Sequence, residues 1–233
     1  MKSPIILALD TKDYQEASDW IVATKESVGI FKVGLELFLR IGIEGTKRLI
    51  EENEIEIFLD LKLHDIPNTV GMATASITSL QPRFLTVHAS GGAEMIRSAV
   101  GSAGNTSITA VTILTSLSAE NLKSIGFSKP PLESAVQLAE LAVLAGATSI
   151  VCSPFEVSAI RKKVEKNIAL ITPGVRPLGS ELGDQKRVMT PQEAIGLGAD
   201  YVVIGRPITS LAKESLNSMS QKAKEISSSL INV

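Results

Sequence analysis

Short runs of aliphatic and β-branched residues recur along the chain, separated by longer stretches whose apolar positions repeat at helical spacing. The runs read IILALD (5–10), IFKVG (30–34), IEIFLDLKL (55–63), RFLTVH (83–88), SITAVTIL (107–114), TSIVCS (148–153), IALITPGV (168–175) and YVVIGRP (201–207). Between them lie stretches such as YQEASDWIVATKESV, IEGTKRLIEEN and LESAVQLAELAVLAG. Their apolar residues fall three and four apart, the signature of amphipathic helices. Strands that alternate with helices predict βαβ units and a parallel sheet. Eight such units in one chain of 233 residues predict an α/β fold of the closed (β/α)8 type, a TIM barrel, rather than an open doubly wound sheet.

An open dinucleotide-binding sheet requires a glycine-rich turn after its first strand. Here the first strand runs into Asp10, Thr11, Lys12 and Asp13 instead. No Gly/Ser linker, charge block or low-complexity tract divides the chain, so residues 1–233 are read as one catalytic barrel domain. The segment 211–230, rich in Ser, Lys and Glu, reads as an amphipathic last helix that closes the barrel.

The polar exceptions within the strands carry the chemical information. Side chains on a strand alternate between its two faces. On the third strand Ile55, Ile57, Leu59, Leu61 and Leu63 share one face, suited to packing under the outer helices. The other face carries Glu56, Phe58, Asp60 and Lys62, which point into the barrel or up at its C-terminal mouth. Asp10 ends the first strand, and Lys32 lies between the outward-facing Phe31 and Val33 on the second. Three consecutive strands thus deliver Asp10, Lys32, Asp60 and Lys62 to the end of the barrel where active sites form. Asp65 follows three residues after Lys62. Alternating carboxylates and ammoniums suit a secluded site, because each charge has a partner. A structural ion network without chemistry is the plain alternative.

The last strand ends VVIGRPITS. Gly205 would let a ligand approach the backbone, Arg206 offers a bidentate fork for a phosphate, and Pro207 can start a short helix whose N–H groups would face the anion. Loops after the seventh and eighth strands are the usual phosphate site of such barrels. The stretch TPGVRPLGSELGDQKRV after the seventh is polar and glycine-rich, suits a lid, and offers Arg176 and Gln185 as ligands.

Composition narrows the possibilities. With 23 Lys plus Arg against 25 Asp plus Glu and only 4% aromatic residues, neither a nucleic-acid partner nor an anionic membrane is indicated. No apolar stretch reaches the roughly 18 residues of a membrane helix, and the apolar run near the N-terminus ends early, at Asp10. A soluble, cytoplasmic protein is expected. The single cysteine, Cys152, reads as a small buried apolar group. The two histidines, His64 and His88, share no metal-binding spacing. His64 is expected near the site without a chemical role, and His88 as a hydrogen-bonding support at the end of the fourth strand.

The string DLKLHDIPNTV from Asp60 to Val70 resembles the signature of the orotidine 5′-phosphate decarboxylase family. LALD at Asp10, KVG at Lys32, VHASGG at His88, LTS at Thr115, TPGVR at Arg176, GDQKRV at Gln185 and VIGRPI at Arg206 resemble its other blocks, in the family's order and over nearly the whole chain. The resemblance implies a cofactor-free, metal-free homodimer that converts orotidine 5′-phosphate to UMP and CO2. It implies Lys62 as proton donor to C6, Asp60 beside the substrate carboxylate, and Lys32 on the ribose and the charged network. Asp10 would hold the ribose hydroxyls and Thr115 the pyrimidine. Asp65, Ile66 and Thr69 would reach into the neighbour's site. Pro173, Gln185, Gly205 and Arg206 would line the substrate, the last three at its phosphate, with Arg176 on the closing loop. The nearest rival is a metal-dependent sugar-phosphate decarboxylase of the same barrel type, which needs an acidic ligand where this chain has Lys32. A catalytically silent phosphate-binding barrel is the other.

Overall fold

The computed structural model describes residues 3–177 and 189–230. Its strands are β1 (Ile5–Ala8), β2 (Ile30–Gly34), β3 (Ile57–Leu63), β4 (Phe84–His88), β5 (Ser107–Val111), β6 (Ser149–Val151), β7 (Ala169–Pro173) and β8 (Tyr201–Ile204). Each pairs in parallel with the next, and β8 pairs with β1, closing a barrel of eight. Around it run α1 (Tyr14–Thr24), α2 (Leu35–Asn53), α3 (Pro67–Ile77), α4 (Ala93–Ser102), α5 (Ala119–Ser124), α6 (Pro131–Leu144), α7 (Val157–Arg161), α8 (Pro191–Gly196), α9 (Arg206–Thr209) and α10 (Leu216–Leu230). The α/β barrel expected from the apolar runs is the fold observed.

Alternation along the strands sorts residues into two apolar layers. Outward-facing Leu7, Phe31, Val33, Ile57, Leu59, Leu85 and Ile150 join the layer between sheet and helices. Inward-facing Ile6, Ala8, Ile30, Phe58, Phe84, Ile171 and Val203 fill the lower barrel. Phe84 makes edge contacts with Phe58 and Tyr201, at ring-centroid separations of 5.8 and 5.5 Å. Arg83 closes the floor, donating to Glu56 at 3.2 Å and to the Tyr201 hydroxyl at 2.9 Å. Inward-facing Ser107, Thr109 and Ser149 bond one another across β5 and β6, which satisfies their hydroxyls away from water. The barrel is therefore a packed plug below, its inner hydroxyls bonded to one another, and carries its open cluster of charges above, where the strands end.

Several boundaries differ from the sequence reading. β1 stops at Ala8 and β5 at Val111, so Asp10 and Thr112 lie on the rim rather than within strands. The last helix begins at Leu216, after a 3-10 turn over Ser210–Lys213. It buries Met219, Ala223, Ile226 and Leu230 and lies beside α1. Cys152 is buried, and that apolar setting pushes its thiol pKa up, consistent with a packing role. Among the described residues no helix is long and apolar enough to cross a membrane.

Candidate active site

The upper ends of β1, β2 and β3 bring four charges into one row. The Lys32 ammonium lies 3.4 Å from an Asp10 carboxylate oxygen and 3.5 Å from one of Asp60. The Lys62 ammonium lies 2.8 Å from the other Asp60 oxygen. Side-chain exposure falls from 60% at Asp10 to 12% at Lys32 and 14% at Asp60, then rises to 32% at Lys62. The two inner members are thus the most secluded, and each lies between two opposite charges.

Strand register explains the row. Ala8 pairs with Lys32, and Gly34 with Asp60, so both β2 and β3 present their charges level with the end of β1. Gly34 leaves room for that ammonium: a Cβ there would stand 3.1 Å from the Lys32 nitrogen and push it aside. The third strand then departs from ideal alternation. Leu59 pairs with Leu85 but Leu63 pairs with Val87, so four residue steps on β3 face two on β4. Lys62 takes up the excess with a left-handed backbone, φ +50°, a conformation costing a non-glycine residue about 1–2 kcal/mol. Its amide donates at 2.8 Å to the Thr86 hydroxyl on β4, and Thr86 in turn donates at 3.1 Å to Asp60.

Two effects compete at Asp60. Burial raises its carboxyl, but the charges of Lys32 and Lys62 and the hydrogen bonds from Lys62 and Thr86 outweigh burial and hold it below the ordinary aspartate range. A carboxylate fixed in the ionised form beside an ammonium is a preorganised electrostatic device. His88 is half-buried, and its ring lies 5.4 Å from that of His64. Burial lowers its pKa, as do the neighbouring His64 and Lys62. Among the described residues its side chain makes no hydrogen bond, so the hydrogen-bonding support expected of it is not seen, and the ring lies against His64 instead. Its imidazole surrounds already hold a cation at Lys62, which disfavours a second.

The other expected site residues end or follow four different strands. Asp65, Ile66 and Thr69 are exposed on the β3–α3 connection and the first turn of α3. Asp65 accepts from the Ile66 amide at 2.6 Å, and among the described residues no ion pair joins it to Lys62 of its own chain. Thr115 is exposed in the turn after β5. Pro173 ends β7 and precedes Gly174, whose φ of +81° suits glycine. Arg176 is buried; its backbone amide donates to Met189 and its guanidinium to the Val175 carbonyl. Gln185 lies outside the described residues. Gly205 and the exposed Arg206 follow β8 directly, and a Cβ on Gly205 would stand 3.4 Å from an Asp10 oxygen. The end of β8 expected to bind phosphate thus adjoins the charged row. The expected helix does begin here, but the amides of Ile208 and Thr209 bond back to the Gly205 carbonyl. These two amides are used within the turn.

Thr86 is the site residue that the sequence reading passed over. Its signal was available: FLTVH alternates, so Thr86 shares the inward face with Phe84 and His88. A lone hydroxyl on that face needs a partner, and the partner is the charged strand next door.

Comparison with known proteins agrees with this geometry. The family model described as "Orotidine 5'-phosphate decarboxylase / HUMPS family" matches residues 3–217. An orotidine 5′-phosphate decarboxylase of Thermobifida fusca is 51% identical over 209 residues, covering 90% of each chain. One from Frankia casuarinae is 46% identical, covering 89% of this chain and 82% of its own. The crystal structure of the Lactobacillus acidophilus orotidine 5′-phosphate decarboxylase superposes with a TM-score of 0.82 at 34% identity, covering 96% of this chain and 98% of that one. On the barrel, the charged rim and these matches together, the chain belongs to the orotidine 5′-phosphate decarboxylase / HUMPS family.

Proposed function

We propose that this chain decarboxylates orotidine 5′-phosphate to UMP and CO2, the step that completes UMP in pyrimidine biosynthesis, without metal or organic cofactor. The observation that carries the reading is the Asp10–Lys32–Asp60–Lys62 row at the open end of the barrel. Loss of CO2 from C6 of the pyrimidine leaves an electron pair in the ring plane. The ring carbonyls do not conjugate with that pair, so stabilisation must come from charge placed there in advance. Lys62 supplies the cation and then the proton that C6 takes up. Asp60 holds the ammonium of Lys62 from one side. Asp65 of a second copy of the chain holds it from the other, in keeping with the exposure of Asp65 in a single chain.

In this reading Lys32 and Asp10 hold the ribose, Thr115 and Pro173 border the pyrimidine, and Ile66 and Thr69 complete the partner's site. Gly205, Arg206 and Gln185 grip the phosphate, and Arg176 steadies the loop that closes over it. Phosphate binding is remote from C6, yet its energy can be used to order the charged row around the substrate. The metal-dependent alternative is disfavoured by Lys32. Its ammonium fills the space between two carboxylates that would otherwise suit a divalent cation.

The test is loss of orotidine 5′-phosphate absorbance on incubation with the purified protein. Turnover should persist in EDTA. Lys62→Ala should lower kcat by about 10⁴-fold or more, the scale of losing a group that acts only in the transition state. Arg206→Ala should lower kcat/KM by on the order of 10²-fold, the loss of one or two charged hydrogen bonds. A Lys62→Ala protein with near-normal turnover removes that residue from the chemistry. Activity abolished by EDTA and restored by Mg2+ would favour the sugar-phosphate type of reaction.

A further inference from the structure

The geometry points to Thr86 as a positioning residue for this reaction: we propose that its one hydroxyl, reaching across from β4, sets both the backbone of Lys62 and the carboxylate of Asp60. The inference rests on the decarboxylase reading and deepens it. Thr86 is fully buried and pairs through its backbone with Thr109, at the middle of β4. Its side chain therefore faces inward, as those of Phe84 and Ser149 do. Its oxygen accepts from the Lys62 amide at 2.8 Å and lies 3.1 Å from Asp60 Oδ1. The Leu59 carbonyl is farther, at 3.5 Å. A hydroxyl has a single proton, and the nearer, charged acceptor takes it.

This placement answers two needs that the irregular end of β3 creates. In a regular ladder the Lys62 amide would donate to a carbonyl of the neighbouring strand. The slip between Leu59 and Leu63 removes that option, and an amide at this depth needs another acceptor. Thr86 supplies it, and so holds Lys62 in its left-handed conformation. The same hydroxyl donates a hydrogen bond to Asp60, the carboxylate bonded to the Lys62 ammonium at 2.8 Å. One side chain thus fixes where the Lys62 main chain turns and which way Asp60 faces. Thr86 touches neither reacting atom in this account. It acts through the two groups that do.

Thr86→Val keeps the shape and removes the hydroxyl, whereas Thr86→Ser keeps the hydroxyl and removes a methyl group. Steady-state kinetics with orotidine 5′-phosphate across pH, together with UMP binding by calorimetry, separate the possible roles. Thr86→Val should lose about 10- to 100-fold in kcat, the scale of a small misplacement of a reacting group, while UMP affinity changes less than about threefold. The acid limb of its kcat/KM profile should move to higher pH, because Asp60 loses a hydrogen bond that favours its ionised form. Thr86→Ser should recover kcat to within about threefold of the parent. The inference is overturned by a valine variant with parental kcat and an unmoved acid limb, or by a serine variant as impaired as the valine one. Loss of UMP binding in step with turnover in Thr86→Val would overturn it too, since the hydroxyl would then support the whole pocket rather than position two groups. A parent protein that binds UMP but leaves orotidine 5′-phosphate intact would overturn the decarboxylase reading itself.

Discussion

A single carboxyl group away from the row shows how strongly position decides ionisation. Glu156 precedes α7, is buried, and accepts from the Ser153 amide. Burial pushes its pKa up to about 7, and the amide bond only partly opposes that. Asp60 is as secluded, yet two ammoniums keep its pKa low. The same side-chain chemistry is thus driven in opposite directions by the presence or absence of a cation. The consequence for stability has a definite sign. An acid whose folded pKa is raised binds a proton in the folded chain that the unfolded chain has released. The contribution of Glu156 is therefore fully present below its ordinary value of 4.5 and is lost as pH rises through about 7. Glu156→Gln keeps an oxygen for the Ser153 amide and removes the titration. Urea unfolding at about pH 5 and about pH 8 should show the variant gaining on the parent by on the order of 2 kcal/mol over that interval. A difference that stays constant with pH would mean that Glu156 is ionised throughout. Asp60 has the opposite sign: its contribution exists above the unfolded value and disappears as pH falls through the folded one.

Among the elements, the two ends of the barrel have separate tasks. Below, the junction of α7 with β7 and β8 is held by Arg161. It donates to the carbonyls of Gly198, Glu165 and Ile168 and to Asp200 at 2.6 Å, and Asp200 also accepts from the Leu170 amide. Arg161→Ala should cost about 2–3 kcal/mol in chemical denaturation, because several acceptors lose a charged donor together, with kcat unchanged at temperatures where the variant is folded. Arg161→Lys should not restore it, since an ammonium lacks the planar fork that reaches these acceptors at once. Above, Gly34→Ala should lower kcat/KM by about tenfold or more with little effect on folding, because its Cβ would crowd the Lys32 nitrogen at 3.1 Å. The strands and the charged row were legible from sequence because both are local patterns. An aliphatic run of strand length needs no partner to be seen, and Asp10, Lys32, Asp60 and Lys62 each interrupt such a run. What sequence hid depends on pairing between strands. The slip between β3 and β4, the left-handed Lys62 and the reach of Thr86 exist only once Leu63 has met Val87. Glu156 was hidden for a similar reason: ahead of a helix it reads as a solvated charge, and only packing buries it.

For the whole molecule, the deciding question is whether one chain contains a complete site. Among the described residues, the row on β1, β2 and β3 leaves Lys62 with one carboxylate neighbour in its own chain, Asp60. The proposed second, Asp65, is exposed beside Ile66, and Met72 on α3, the helix that follows, is exposed as well. An apolar pair flanking an outward-facing carboxylate suits a symmetric association, in which each surface meets its own copy. If the site is shared in this way, Lys62 of one chain works with Asp65 of the other, and damage to the two residues must be separable between chains. Lys62→Ala homodimers lack the cation in both sites, and Asp65→Ala homodimers lack the partner's carboxylate in both. In a mixed dimer the Asp65→Ala chain contributes Lys62 and the Lys62→Ala chain contributes Asp65, so one of the two sites is intact and the other carries both lesions. Random exchange of equal amounts makes half of the dimers mixed, and about a quarter of the sites should recover parental turnover. The measurement is kcat per site before and after the two inactive variants are unfolded and refolded together. Recovery near a quarter requires Asp65 to act across the interface. Activity no greater than the mean of the separate variants would place each site within one chain and leave Asp65 to some other task.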